Sequence, residues 1–153
     1  MEGMLDGAGG LIGLAGSAFL AATALPGGTE AVMAALLLGS SHPAWLVVAV
    51  ASLFNTLGSV ASFYLGWFVE RWRSSRLMPV SPERLERARA WFARYGAWAL
   101  LMSWVPFVGD AFPVAAGFLR LNPWIAFPLI AIGKTARFVA VAWGVDAGAR
   151  ALG

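Results

Sequence analysis

Four ionisable residues, Glu30, Asp110, Lys134 and Arg137, stand inside apolar runs of this chain. A base at mid-bilayer costs about 2.5–3.5 kcal/mol on insertion scales, so each such charge must face a partner or a wet cavity, and such residues mark ion and substrate pathways. Lys134 and Arg137 are three residues apart, which puts both cations on one face of a helix. Asp110 lies between Pro106 and Pro113. Each proline lacks a donor and disfavours helix at the residue before it, so the chain should leave helix around the acid and re-enter it. The backbone groups freed there must be satisfied by protein or cavity water, as at transporter binding sites. Glu30 follows the turn Pro26-Gly27-Gly28-Thr29 and falls in the first turn of an apolar run, where the helix dipole favours an acid and Gly28 or Thr29 would cap. The chemistry on offer is anion binding by the bases and proton exchange by the acids. Desolvation favours a protonated carboxyl and a neighbouring cation an ionised one, so two acids beside two bases can trade a proton as an anion arrives or leaves. Asn55, Thr29 and Ser103 are neutral donors for such a site. The same four charges also fit an inert buried network in a structural or interaction protein.

Composition puts these residues in a membrane. Of 153 residues, 59% are hydrophobic and 12% charged, against roughly a quarter charged in a soluble domain; mean hydropathy is +0.72. The apolar runs leave room for one domain and no soluble catalytic unit. Cys is absent and His42, in the polar turn Ser40–Pro43, is the single histidine. Zinc sites, haem ligation and thiol nucleophiles are thereby excluded, and no cofactor or metal is expected. His42 reads as a solvated loop residue. There is no G-x-S-x-G or H-E-x-x-H, so the chain is not expected to be an enzyme, although paired carboxylates can in principle cleave peptide bonds. Seven of the eleven basic residues fall between Arg71 and Arg94. By the positive-inside rule that loop is cytoplasmic, which explains the basic balance without nucleic acid. The start carries Glu2 and Asp6 and no positive n-region, so the first apolar run is expected to be kept.

The elements that must position the charges follow from run length. Gly9–Leu25 is at the short limit for a span, and Glu30–Gly39 is about half a bilayer, so the two read as a re-entrant hairpin. Ala44–Val69 is a full span, with Gly58, Ser62 and Gly66 forming a small face for close packing. After the basic loop, Ser81-Pro82 starts an amphipathic interfacial helix in which Ala88, Trp91 and Phe92 oppose Glu83, Glu86 and Arg87. Gly96–Val108 and Asp110–Leu121 repeat the short pair, and Trp124–Val145 is the second span, carrying Lys134 and Arg137. Sliding the chain on itself by 80 positions aligns Gly16 with Gly96, Thr23 with Ser103, Pro26 with Pro106, Glu30 with Asp110 and Pro43 with Pro123.

The expected fold is an all-α integral membrane protein. Two inverted repeats, about 9–69 and 95–146, each combine a re-entrant helical hairpin with a transmembrane helix, and a basic cytoplasmic loop with an amphipathic helix, 70–94, joins them within a single domain, 1–153. The first hairpin then enters from outside and the second from inside, with both termini outside. A spanning first segment would move the N-terminus inside.

The sequences ATALPGGTEAV at 22–32, SHP at 41–43, RYGAWALLMSWVPFVGDAFPVAAGFLR at 94–120 and GKTARF at 133–138 resemble the DedA superfamily of SNARE-associated or VTT-domain proteins, within it the short YqaA-like branch. The resemblance implies a multi-pass bacterial inner-membrane protein with two opposed re-entrant hairpins. It also implies movement of undecaprenyl phosphate or phospholipid, with effects on proton-motive force and envelope stress. Better-studied members carry arginines in a pattern like F-x-R-x-x-P-x-x-R; here Ser103 and Gly109 stand at those positions, and Lys134 and Arg137 are expected to supply the positive charge. The leading expectation is a lipid-phosphate transporter or flippase, with Lys134 and Arg137 holding the head group and Glu30 and Asp110 coupling protons. Its partners would be a phosphate-bearing anionic membrane lipid and protons; a homo-oligomer is left open.

Overall fold

A computed structural model describes residues 7–23, 28–69, 81–105 and 109–152, and every regular element among them is helical. In chain order these are α1 (Ala8–Thr23), α2 (Thr29–Gly39), α3 (Ala44–Val69), α4 (Pro82–Tyr95), a 3₁₀ segment (Gly96–Trp104), α5 (Ala111–Phe118) and α6 (Pro123–Leu152). The tip of the first hairpin at Pro26-Gly27, the break at Pro106 and the basic stretch 70–80 lie outside the described residues.

Helices α3 and α6 are the frame. With 26 and 30 residues they are about 39 and 45 Å long, more than a hydrocarbon core of about 30 Å. α6 runs longer at both ends than the expected 124–145 and keeps Pro128 inside it. The two helices are antiparallel: Ala44 at the start of α3 lines a cavity with Trp143 and Asp146 near the end of α6, whereas Phe63 near the end of α3 meets Phe127 near the start of α6 with ring centroids 5.3 Å apart.

Glycine sets how closely the short elements approach this frame, as the small face at Gly58, Ser62 and Gly66 requires. A methyl group at Gly58 would fall 2.6 Å from the Phe19 carbonyl of α1. At the far end of α3, Gly66 lies against the Val114 carbonyl of α5 while Gly117 of α5 lies against the Phe63 carbonyl, so each backbone fills the space a side chain would need. In a bilayer, where apolar burial between helices gains little, such close packing is a principal source of association. The short arms exchange partners: α2 packs on α6, and α5 packs on α3. One buried cluster, including Leu14, Met33, Val47 and Phe138, closes the α1–α2 side; another, including Phe63, Phe92, Leu100, Phe112 and Ile130, closes the α5 side.

The segment after α4 departs from the expected α-helical arm. Gly96 ends α4 at φ +61°, a backbone state that suits glycine, and its N–H bonds the Phe92 carbonyl. The following nine residues wind as a 3₁₀ helix. With three residues per turn, Leu100 and Ser103 fall in line, and both are fully buried, on the side where the segment packs against Gly133 of α6.

Candidate functional site

Asp110 occupies the N-cap position of α5, but its side chain makes no capping hydrogen bond. It turns to α6 instead, where Lys134 Nζ donates to Asp110 Oδ1 at 2.6 Å. The lysine side chain is 0% exposed and the aspartate 21%. In the equivalent place on the other hairpin arm, Glu30 lies in the first turn of α2, and Arg137 Nη2 donates to Glu30 Oε1; the exposures are 11% for the arginine and 28% for the glutamate. Both carboxylates therefore stand where a helix N-terminus favours negative charge, each against a cation on the same face of α6. In both pairs the base is the deeper partner.

The pairs leave hydrogen-bonding capacity over. An ammonium has three donors, and Asp110 takes one from Lys134. Glu30 Oε2 and Ser103 Oγ are buried without a partner. Ser103 lies beside the lysine's neighbour, since a methyl at Gly133 would fall 2.7 Å from Ser103 Oγ. Gly109, next to Asp110, likewise folds onto the Ser103 and Val105 carbonyls, with its N–H bonded to Val105 at 2.8 Å. Asp110, Lys134 and Ser103 thus converge through two glycines whose packing role the sequence did not show, Gly109 having been noted only for standing where relatives carry an arginine. Their only signal was position, each directly preceding a charged residue.

The other two neutral candidates are engaged elsewhere. Thr29 is buried and its hydroxyl donates to the Ser17 carbonyl at 3.3 Å, leaving Gly28 at the N-cap without a side-chain bond. Asn55 Nδ2 donates to the adjacent Ala18 carbonyl at 2.7 Å, and Ser62 bonds the Ala22 carbonyl at 2.9 Å. These three fasten α1 to its neighbours, and Asn55 retains an unpartnered Oδ1. His42 is half-buried with Nε2 enclosed and unpartnered, not solvated as expected.

The VTT domain matches residues 25–146. The inner membrane protein YqaA of Escherichia coli (strain K12) is 41% identical over 133 residues, which cover 86% of this chain and 88% of that protein. An uncharacterized protein of Haemophilus influenzae is 39% identical over 136 residues, covering 82% and 80%. No solved structure matches. Two long apolar helices, the match across both ion pairs and the identity to an inner-membrane relative together make this chain an inner-membrane member of the VTT-domain, or DedA, family.

Proposed function

We propose that this chain is a transporter, not an enzyme, that moves a phosphate-bearing anionic lipid, a polyprenyl phosphate or a phospholipid, across the inner membrane with protons as the coupling ion, in support of membrane homeostasis. The observation that carries this reading is the depth order of the two ion pairs: both bases lie on one face of α6, each behind a more exposed carboxylate. An anion reaching the pair meets the acid first. It gains the cation only when that acid is protonated, because a second negative charge at a desolvated site is otherwise repelled. Lys134, Arg137 and Ser103 would then hold the phosphate oxygens, while Asp110 and Glu30 carry the protons. Asn55 and Thr29 act in this reading as positioning residues that fix the first hairpin.

The same reading takes 1–153 as one domain of two inverted repeats. α1 and α2, about 24 and 16 Å long by helix rise, fall short of the hydrocarbon thickness, as a re-entrant hairpin would. The offset of 80 carries α2 onto residues 109–119 around α5 and α3 onto residues 124–149 within α6, and the exchanged contacts of α2 with α6 and α5 with α3 support a two-fold relation. A second reading, an inert structural network, draws support from the pairing itself, since each base already has an acid partner.

Proteoliposomes carrying a fluorescent polyprenyl phosphate or an anionic phospholipid separate the two. Transport predicts lipid movement that follows an imposed pH gradient and is lost in Asp110→Asn and Lys134→Met, both still folded. Movement equal to that of protein-free vesicles, with every lipid tried, would favour the inert network.

A further inference from the structure

At the end of the molecule where α3 and α4 both pack on α5, away from the buried ion pairs, the guanidinium groups of two arginines stand over aromatic rings. Arg89 of α4 stacks over Phe118 with its Cζ 4.5 Å from the ring centroid, and Arg120, just past α5, stacks over Trp67 at 5.6 Å. Arg89 also bonds Glu86 at 2.7 Å, and its Nε is enclosed without a partner. Around them α4 exposes Arg84, Arg87 and Arg94. Along α4 and the end of α5 there are thus five arginines against two glutamates, Glu83 and Glu86. The flanks are apolar and exposed at Phe68, Trp91 and Leu119, the aromatic and aliphatic collar of a membrane interface.

Arg120 adds an independent observation. It is the single non-glycine residue with positive φ among the described residues, at +54°. The Arg120 and Leu121 N–H groups bond back to Gly117 and Ala116, which closes α5 with the left-handed turn that ordinarily takes glycine. An arginine there costs stability that glycine would not. Such a residue persists where its side chain has a use.

We infer that Arg89 and Arg120 form a binding site for the head group of an anionic phospholipid in the cytoplasmic leaflet. Guanidinium groups lying over aromatic rings present their N–H edges to phosphate, while the exposed apolar flanks continue into the acyl region. Occupancy would reach the buried pair mechanically. Ala88 and Phe92 on the other face of α4 are buried, and Phe92 packs on Phe112 at 5.8 Å, two residues from Asp110.

The test is thermal unfolding of the full-length protein in neutral detergent, alone and with phosphatidylglycerol or phosphatidylcholine. Phosphatidylglycerol is expected to raise Tm by about 5 °C, phosphatidylcholine to leave it unchanged, and added salt to shrink the shift. Arg120→Gly is expected to melt at or above wild type without lipid and to lose the phosphatidylglycerol shift; Arg89→Gln loses the shift as well. Arg150→Gln, at the far end of α6 where the arginine pairs with Asp146, keeps it. A full shift in both arginine variants, an equal shift with phosphatidylcholine, or loss of the shift in Arg150→Gln would each overturn the proposal.

Discussion

Lys134 is the fully buried charge of the site, while Asp110 beside it keeps partial exposure. Removing the two partners is therefore unequal. Asp110→Ala strands a cation whose side chain is fully enclosed, a change worth about 3–5 kcal/mol when a buried pair is broken. Lys134→Met leaves a carboxyl that can be hydrated or protonated, so its loss is smaller, and the double variant recovers most of the deficit. Denaturant unfolding in micelles measures all three; equal losses in the single variants would contradict the depth order. The sequence was clear about which residues carry charge, because four ionisable groups in apolar runs have few alternatives. It was silent on who pairs with whom. Glu30 meets Arg137 across 107 positions and Asp110 meets Lys134 across 24, distances that only the packing of α2 and α5 onto the frame decides. Asn55 and Thr29 were read as neutral donors to a substrate; here both are buried and donate to α1 carbonyls, since a buried amide or hydroxyl bonds backbone as readily as a ligand.

At the scale of elements, the helix glycines divide by what they touch. Gly58, Gly66 and Gly117 face backbone of a neighbouring helix, whereas Gly13 and Gly144 have nothing within 4 Å of an added methyl. Gly66→Ala or Gly117→Ala should destabilise by about 1–3 kcal/mol through overpacking, or prevent folding. Gly13→Ala and Gly144→Ala should be neutral or stabilise by about 0.5–1 kcal/mol, since alanine favours helix. Fluorescence-detected size exclusion after heating distinguishes the groups, and similar melting of Gly117→Ala and Gly144→Ala would refute the tight α3–α5 crossing. Run length and the small face had made α3, α4 and the core of α6 legible, and Ser81-Pro82 marked the start of α4 to the residue. The 3₁₀ winding of Gly96–Trp104 was not legible. Its composition is that of an apolar α-helix, and the choice of period is made by the surface of α6 against which it lies.

For the whole molecule, the antiparallel frame and the positive-inside rule orient the chain. Because the sequence has no cysteine, single cysteines can report each side. Ala8→Cys, Ser41→Cys and Arg150→Cys should react with an impermeant maleimide from outside, and Arg84→Cys only after permeabilisation. Labelling of Ala8→Cys from the cytoplasmic side would replace the first hairpin with a spanning helix. The family and its membrane setting were readable from motifs spread along the chain; the exchange of arms between halves was not, being a property of packing between segments far apart in sequence. The central claim is that a phosphate takes the place of a carboxylate at the cations of α6. Its most direct measurement is proton uptake from weakly buffered detergent solution as an anionic phosphate lipid is added, followed with a pH-indicating dye. The account predicts uptake approaching about one proton per carboxylate displaced, reduced in Asp110→Asn and Lys134→Met. Saturable binding without proton uptake, unchanged in those variants, would contradict it.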